Sequence, residues 1–354
     1  RALIEVLGDA AAARMGGAAR AAAERKLDVR AMRTRYAELL AGLGGAPPTP
    51  AAARRPPGAG LAVVTVLHDS AEDIVRLLTS LERHLPDVRV VVVDSGSSDA
   101  GAELARSWRG GAAEVLVLGE NTGFGRAANA GLSLVDQPVT ALLNPDVELP
   151  DASLAAAADE ALRAPERLLA PQVVRPDGTR EDNAQREPGH PALLAHALLP
   201  GAALPGRLAS AIEPWRSTRP RRAGWPVGSC IVARTETLRR LGPFDERVFM
   251  YAEDLDLGLR ATDAGVETWF WPAARVMHVG AHSTRRAYGG EPFELLARRR
   301  REVVRERRGA RGARADDVLQ LLTFADRLLL KRLTGGDSER ERRQMAALMQ
   351  QLRR

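Results

Sequence analysis

The sequence of 354 residues lacks the features that mark several classes of protein. Its single cysteine, Cys230, excludes an intramolecular disulfide and a zinc site built from several cysteines. No apolar run reaches the ~20 residues that a membrane-spanning helix needs. Aromatic residues make up only 4% of the chain, and it has neither a Gly-x-Ser-x-Gly motif nor a Lys-bearing phosphate loop. These absences exclude the nucleophile-elbow hydrolases and the Walker-type nucleotidases.

Excess positive charge is confined to the C-terminal part of the chain. From Arg285 onward there are 19 basic and 10 acidic residues, whereas the preceding 284 residues carry 32 basic and 35 acidic ones. The tail is helical in pattern, and residues 317–333 carry a wide apolar stripe with Arg and Lys beside it. Two interpretations stay open: peripheral attachment to an anionic membrane, or a helical hairpin packed on the rest of the protein. Nucleic acid is not an expected partner, because no aromatic residues for base stacking are interleaved with the arginines.

The chain divides into four predicted segments. Residues 1–45 are helical in pattern, residues 46–60 form a Pro- and Gly-rich linker, residues 61–286 form the main domain, and residues 287–354 form the basic extension. In the main domain apolar strands alternate with helices, which predicts a three-layer α/β/α fold with a mostly parallel sheet. Residues 175–222 have a weak pattern, and we expect an irregular, partly mobile insertion there.

Acidic residues follow three of the predicted strands. Asp69, Asp94 and Asp146 each come at a strand end, and ligands of parallel α/β sheets bind at that edge. Asp94 could accept the N–H of a pyrimidine ring or merely cap the next helix. Asp146, in Asn144-Pro145-Asp146, could hold a divalent cation that bridges two phosphates, and His278 could complete the shell. A histidine ligand favours Mn²⁺ somewhat over Mg²⁺.

A glycine-containing loop enters a helix at residues 121–131. Its exposed N–H groups, with Asn121, Gly123, Arg126 and Asn129, could cradle a diphosphate. An ordinary structural turn followed by a packed helix is the competing interpretation.

A further acidic cluster opens the predicted helix at residues 253–264. The helix dipole favours ionised carboxylates at Glu253 and Asp254. We assign Asp254 as a general base because it follows an aromatic-rich loop that can exclude water. Glu253 would orient an acceptor or simply supply a charge at the helix start. Asp256 and Arg260 are four residues apart and are expected to pair on the surface.

Taken in order, these motifs resemble one known family. Asp94-Ser-Gly-Ser-Ser-Asp99, the loop 121–129, Leu-Asn144-Pro-Asp146 and Trp225-Pro-Val-Gly-Ser-Cys230 are followed by Gly242-Pro-Phe-Asp-Glu246, Phe249-Met-Tyr-Ala-Glu-Asp254 and His278. The set resembles the inverting family 2 glycosyltransferases of GT-A fold, in their rhamnosyltransferase-like branch.

The resemblance implies transfer of a sugar from a nucleotide-diphosphate donor, dTDP- or UDP-linked, to a glycan or lipid-linked acceptor at the cytoplasmic face of the cell membrane. It implies that Asp94 reads the base, that Asp146 and His278 serve a Mn²⁺ or Mg²⁺ ion, that Asp254 is the base, and that Trp225 and Glu253 lie in the acceptor site. Asn144 stands where the family more often has a first carboxylate, and Asp69 where it more often has asparagine.

Two other functions share some of these features. A sugar nucleotidyltransferase would use a similar sheet, but it should carry a Gly-rich basic loop after the first strand, and Leu67-His-Asp-Ser-Ala71 has none. A non-catalytic basic binding module would rest on the tail alone. Residues 1–44 also resemble the closing helices of family 4 glycosyltransferases of GT-B fold. This suggests a two-enzyme fusion, with a plain helical extension as the alternative.

Overall fold

A mixed, mostly parallel sheet forms the centre of the computed structural model, which describes residues 58–198, 205–280 and 292–353. Nine strands belong to this sheet: β1 Leu61–Leu67, β2 Arg89–Asp94, β3 Ala113–Val117, β4 Val139–Leu143, β5 Val147–Glu148, β6 Arg167–Val174, β8 Arg221–Ala223, β10 Cys230–Arg234 and β11 Glu267–His278. A separate pair consists of β7 Ala184–Gln185 and β9 Trp225–Pro226. The predictions for residues 1–45 and for residues 46–57 of the linker fall outside the described residues.

Helices cover both faces of the sheet. The helices are α1 Ala71–His84, α2 Gly101–Ser107, α3 Phe124–Ser133, α4 Leu154–Arg163, α5 Ala192–Leu198, α6 Gly206–Ile212, α7 Thr235–Leu241, α8 Glu253–Asp263, α9 Phe293–Leu333 and α10 Glu339–Leu352. One apolar core lies between the sheet and α1, α2 and α4. A second core lies between the sheet and α3, α7 and α8. The predicted three-layer arrangement is confirmed.

The strand order brings several strand ends to one edge of the sheet. The order is β3-β2-β1-β4-β10-β6-β11-β5, and β8 also pairs with β11. The first four strands are parallel, and β10 runs antiparallel between β4 and β6. Since β11 is parallel to β6, its carboxyl end reaches the same edge as those of β1, β2 and β4. Asp69, Asp94, Asp146 and His278 therefore all follow or end strands at this edge.

The prediction of an irregular insertion at residues 175–222 was wrong for much of the segment. It contains β7, α5, α6 and β8, and β8 extends the main sheet by pairing with β11. Asn183 is 2% exposed, and its side-chain amide donates to the carbonyl of Pro171 at 2.6 Å. Elements this short leave too few residues for a periodic apolar pattern, which is why the sequence did not indicate them.

The C-terminal helices fold back on themselves and on the main domain. Gly309, inside α9, has φ 75° and ψ 176°, which breaks the helix. The guanidinium of Arg300 donates twice to Asp316, at 2.8 Å each, although these residues would be ~24 Å apart in a straight helix. The two parts of α9, residues 293–308 and 310–333, must therefore lie side by side. No helix among residues 58–198, 205–280 and 292–353 is long and apolar enough to cross a membrane.

A buried ion pair joins α9 to α8. Asp256 pairs with Arg260, as predicted, but the pair is not on the surface. The Asp256 side chain is 3% exposed, and its second oxygen lies 2.7 Å from Nε of Arg307. Burial here follows from the packing of residues 293–308 over α8, which the i, i+4 spacing could not indicate.

Candidate active site

The loops that follow β1 and β2 are tied together by hydrogen bonds. Nδ1 of His68 lies 3.0 Å from the carbonyl oxygen of Ser95. Asp69 has a φ of 49°, and its Oδ1 accepts the N–H of Ser98 at 2.7 Å. The hydrogen bond from the Ser98 backbone outweighs partial burial and lowers the pKa of Asp69. Asp69 thus holds the neighbouring loop in place. Its contact with a nucleoside stays a prediction.

Asp94 is buried at the end of β2. The residue is 5% exposed, and its Oδ1 accepts the N–H of Ser97 at 3.0 Å. This bond shapes the turn after the strand. The helix-start contacts belong instead to Asp99, whose Oδ1 accepts the N–H of Gly101 at the start of α2 at 3.0 Å and whose Oδ2 accepts that of Ala71 at the start of α1 at 2.8 Å. Helix capping, the alternative interpretation for Asp94, is therefore a role of Asp99 more than of Asp94.

The loop at residues 121–123 is fixed by close contacts. Ser95 Oγ accepts the N–H of Thr122 at 2.9 Å, and Asn121 Oδ1 accepts that of Gly123 at 3.1 Å. Gly123 has a φ of 82°, and a Cβ added to it would lie 2.2 Å from the carbonyl oxygen of Phe249. A side chain cannot be accommodated there, so this glycine allows the loop to approach the segment before α8.

Two other residues predicted at this loop make contacts with the segment at residues 244–246. Asn129 donates from Nδ2 to the carbonyl of Phe244 at 2.9 Å and accepts the N–H of Phe244 at 3.2 Å. Arg126 is exposed, with Nε 4.0 Å from Glu246. Asn129 therefore has a structural role in joining α3 to this segment. Contact of Asn129 or Arg126 with a diphosphate stays a prediction.

Asp146 and His278 lie together, as the sequence predicted. Their Oδ2 and Nε2 atoms are 3.0 Å apart. Oδ1 of Asp146 is buried and has no hydrogen-bond partner among the described residues. Within these residues no group of three or more His, Cys, Asp or Glu side chains forms a complete metal site. The unpartnered oxygen of Asp146 nevertheless fits a hard divalent cation, because Mg²⁺ is commonly held by one or two carboxylates together with substrate phosphates.

Glu181 is a third member of this cluster that the sequence did not indicate. Its Oε2 lies 3.1 Å from Nδ1 of His278, and its Oε1 lies 3.2 Å from Nε of Arg175. Burial disfavours the charged form of His278, but the bonds with Asp146 and Glu181 outweigh it and raise the pKa of His278 to about 10. No local motif marks Glu181, which is 97 residues from His278 in the chain.

Asp254 is the second residue of α8, which begins at Glu253 directly after two residues with positive φ, Tyr251 at 70° and Ala252 at 64°. Its Oδ2 accepts the N–H of Gly228 at 2.9 Å, and its Oδ1 accepts that of Leu255 at 2.7 Å. The loop at residues 228–229 also contacts the Asn144-Pro145-Asp146 motif, since the carbonyl of Ser229 accepts the N–H of Asn144 at 3.1 Å. One short loop thus contacts both the predicted base and the motif that carries Asp146.

Burial shifts the acid–base properties of both carboxyl groups at this helix start. It raises the pKa of Asp254, against the hydrogen bonds from Gly228 and Leu255 and the positive charge of Arg300. Burial, and then the charge of Asp254, raise the pKa of Glu253. A carboxylate with a raised pKa accepts a proton more readily than an exposed one, which suits a general base near neutral pH.

Trp225 lies beside this helix start. Its Nε1 donates to the carbonyl of Arg186 at 3.2 Å, and the guanidinium of Arg300 lies 6.0 Å from its ring centre. A Cβ on Gly258 would lie 2.2 Å from that of Trp225, so the glycine lets α8 approach the chain at Trp225. Arg300, from the C-terminal extension, is a second residue near the site that no sequence motif indicates.

A mixed sheet with these acidic residues along one edge is the arrangement that the resemblance to glycosyltransferases of GT-A fold implies. Two family models match the chain: Glycosyl transferase family 2 over residues 62–224 and Glycosyl transferase family group 2 over residues 212–334. The N-acetylglucosaminyl-diphospho-decaprenol L-rhamnosyltransferase of Mycobacterium tuberculosis is 35% identical over 261 residues, which is 67% of this chain and 80% of that protein. The chain belongs to glycosyl transferase family 2.

Solved structures of low identity share the fold. The mannosyltransferase PcManGT of Pyrobaculum calidifontis, in complex with GDP-Man and Mn²⁺, is similar with a TM-score of 0.52 and 15% identity, over 82% of this chain and 84% of that one. GalNAc-T7 with UDP, GalNAc and Mn²⁺ gives a TM-score of 0.50 and 18% identity, over 68% of this chain and 47% of that longer one. These similarities confirm the predicted GT-A class of fold.

Proposed function

We propose that this glycosyltransferase moves a sugar, rhamnose in the first instance, from a dTDP- or UDP-linked donor to a hydroxyl of a lipid-linked glycan, with inversion. The observation that carries the proposal is the loop at residues 228–229. It bonds Asp254 through Gly228 and Asn144 through Ser229, and so relates a buried carboxylate to the Asn144-Pro145-Asp146 motif. The mycobacterial rhamnosyltransferase, whose name gives a lipid-linked N-acetylglucosaminyl acceptor, supports the choice of substrates.

In this proposal Asp146 and His278 would hold the divalent cation. Oδ1 of Asp146, which is buried and has no partner among the described residues, is the available ligand atom. Nε2 of His278, which bonds Oδ2 of Asp146, would join it as a ligand after losing its proton. When bound, a Mn²⁺ or Mg²⁺ ion supplies positive charge to a leaving diphosphate. The two solved relatives in complex with Mn²⁺ are consistent with such an ion.

Asp254 would act as the general base. Its carboxylate takes the proton of the acceptor hydroxyl while that oxygen forms a bond to the anomeric carbon. The bond from this carbon to the diphosphate breaks, and the nucleoside diphosphate leaves with the electron pair. A single displacement of this kind needs no protein nucleophile, and a general base contributes about 10²–10⁴-fold to the rate.

The donor would lie along the loops after β1, β2 and β3. Buried Asp94 would accept the N–H of a pyrimidine ring, with Asp69 beside it. The loop of Asn121 and Gly123, with Arg126 exposed at the start of α3, would contact the diphosphate. The hydrogen bonds that the N–H groups of Thr122 and Ser98 donate to Ser95 and Asp69 hold these loops in place before a nucleotide sugar binds.

We also propose that α9 attaches the enzyme to the cytoplasmic face of an anionic membrane. Residues 293–308 pack on the main domain, which supports the packing alternative for that part. The later part exposes apolar side chains, with Val318 at 53%, Leu329 at 58% and Leu333 at 77% exposure. Co-sedimentation with phosphatidylglycerol vesicles should fall when Leu329 and Leu333 are both changed to serine, and unchanged co-sedimentation would contradict the attachment.

The function is tested by changing Asp254 and Asp146 separately in the full chain. Asp254→Asn should abolish transfer and leave the affinity for the nucleotide sugar nearly unchanged in calorimetry. Asp146→Ala should weaken donor binding in the presence of Mn²⁺ and have little effect in its absence. Loss of donor binding in Asp254→Asn would mean that the base is assigned wrongly. Absence of binding by UDP-, dTDP- and GDP-sugars to the unchanged protein would overturn the function itself.

A further inference from the structure

A groove of about 510 Å³ lies between the second part of α9 and the chain around α5. Its sides are mostly apolar. Pro191 and Leu194 line one side, and Ala315, Val318 and Leu319 line the other. The volume is within the ~300–1,000 Å³ of small-molecule pockets. The groove can therefore hold an apolar ligand of moderate size.

Exposed apolar side chains continue from the groove along both helices. Leu194 and Leu198 are one turn apart on α5, and Val318 and Leu322 are one turn apart on α9. All four side chains are at least 40% exposed. A contiguous apolar surface of this kind marks a place where a ligand, a partner or a lipid binds. The groove is thus part of an apolar surface that extends along α9.

Two basic side chains, His190 and Arg314, also line the groove. Arg314 is exposed and forms no ion pair with a described residue. Nδ1 of His190 accepts the N–H of Ala192 at 3.0 Å, so the proton of the neutral ring is on Nε2. Burial and the charge of Arg186 lower the pKa of His190, which favours this neutral form. A guanidinium and an Nε2–H group can both donate to phosphate oxygens.

The groove begins close to the predicted acceptor site. The carbonyl of Arg186 accepts the Nε1–H of Trp225 at 3.2 Å, and His190 follows Arg186 by four residues, which span at most about 14 Å. In the other direction, Val318 precedes Leu329 by eleven residues, or about 16 Å along a helix. Leu329 belongs to the part of α9 that we propose attaches to a membrane. The groove therefore connects the surroundings of Trp225 to that membrane contact.

We propose that this groove binds the lipid diphosphate of the acceptor, with the diphosphate at Arg314 and His190 and the first prenyl units along the apolar sides. The inference rests on the proposed function and states where the lipid part of that acceptor lies. A prenyl diphosphate has negative charge at one end and an apolar chain at the other. The two hydrogen-bond donors beside an apolar lining match both ends, and they favour a lipid with an anionic head group over an uncharged apolar partner.

Two acceptors separate the lipid from the sugar: N-acetylglucosaminyl diphosphate on a decaprenyl chain and on a single prenyl unit, both presented to the full chain in detergent micelles. The unchanged enzyme should have the lower KM for the decaprenyl acceptor. Ala315→Gln places an amide in the apolar lining. It should raise that KM by about 10-fold, as if about two methylene groups left an apolar contact, and should leave the KM values of the short acceptor and of the nucleotide sugar unchanged.

Ala346→Gln makes the same change at an exposed position of α10 and should leave every KM unchanged. Melting temperatures of the two variants show whether each is folded. Equal losses with both acceptors in Ala315→Gln would mean that the prenyl chain is not what the groove binds. An unchanged decaprenyl KM in the folded variant would mean that nothing binds there. Either result overturns the inference.

Co-sedimentation with phosphatidylglycerol vesicles distinguishes the groove from the membrane contact. Ala315→Gln should co-sediment like the unchanged enzyme. A fall in parallel with the loss of acceptor affinity would assign the groove to the membrane-attaching surface and overturn the inference. Failure of the proposed function is distinguishable, because the unchanged enzyme would then transfer no sugar to either acceptor.

The diphosphate end of the groove is tested by Arg314→Gln. This change should raise the KM of both acceptors by about 10-fold or more, because both carry the diphosphate and a charged hydrogen-bond donor is lost. Arg311 is also exposed on α9 and forms no ion pair with a described residue, but it does not line the groove. Arg311→Gln should therefore leave both KM values unchanged. Equal KM values in the two variants would contradict the placement of the diphosphate.

Discussion

Glu181 holds the ring of His278 from the side opposite Asp146. The Oε2 atom of Glu181 lies 3.1 Å from Nδ1, and the Oδ2 atom of Asp146 lies 3.0 Å from Nε2. With Nδ1 bonded to Glu181, Nε2 is the nitrogen directed toward Asp146. A carboxylate on the far nitrogen of a metal-binding histidine fixes the ring and increases its basicity.

The first prediction concerns Glu181 and the proposed cation. Glu181→Ala should weaken Mn²⁺ binding about 10–100-fold, the usual effect of removing such a partner. Isothermal titration calorimetry with Mn²⁺ in the presence of a nucleoside diphosphate measures it independently of activity. The neighbouring Asp182 is exposed, and Asp182→Asn is the control for loss of a charge. Equal affinities in the two variants would contradict the role of Glu181.

The second prediction concerns the pH dependence of transfer. Asp254 must be ionised to accept a proton, and burial raises its pKa while the charge of Arg300 opposes the shift. The rate should therefore fall with decreasing pH at values above the ordinary aspartate pKa of about 3.9. The neighbouring acid Glu253 also has a raised pKa, so it becomes protonated before Asp254 as the pH falls.

The third prediction changes that balance through Arg300. Arg300→Gln removes the opposing positive charge, so the pKa of Asp254 should rise further. The acid limb of the kcat profile should therefore move to higher pH. Arg298→Gln, on the same helix and 47% exposed, should leave the limb in place. An unmoved limb in a folded Arg300→Gln protein would show that this charge does not act on the base.

The fourth prediction concerns the close contact of Gly123 with Phe249. Gly123→Ala meets both a positive φ and a carbonyl oxygen 2.2 Å from the new Cβ, so the loop must move and donor affinity should fall. Gly119→Ala has a similar φ of 75° with open space around it, and it should cost only the strain of about 1–2 kcal/mol. Donor affinity and melting temperature of the pair separate the contact from the strain. Similar affinities would mean that the contact is not needed.

The fifth prediction concerns the buried acid between α8 and α9. Asp256→Asn removes the charge that both Arg260 and Arg307 pair with, at 2.7 Å each. Breaking a buried pair in this way costs about 3–5 kcal/mol, which urea denaturation would measure. Glu339→Gln breaks an exposed pair with Arg342 and should cost at most about 1 kcal/mol. A similar small loss for both would mean that the buried pair does not hold α9 on α8.

The sequence determined the elements with long or strongly apolar patterns. The valines of β2, the alternation of strands and helices, and the acids at strand ends were enough to predict the class of fold and to bring Asp146 and His278 together. Local chemistry was sufficient there, because an apolar run must be buried and the carboxyl ends of parallel strands meet at one edge.

Only the tertiary structure determined the partners that come from distant segments. Glu181 lies in a stretch without periodicity, and its contact with His278 depends on the path of the chain from β6 to β7. The burial of Asp256 depends on how residues 293–308 of α9 pack against α8, and the reversal at Gly309 brings Arg300 beside Asp316. Spacing along a helix indicates which residues share a face, but what covers that face is decided by the packing of elements far apart in sequence.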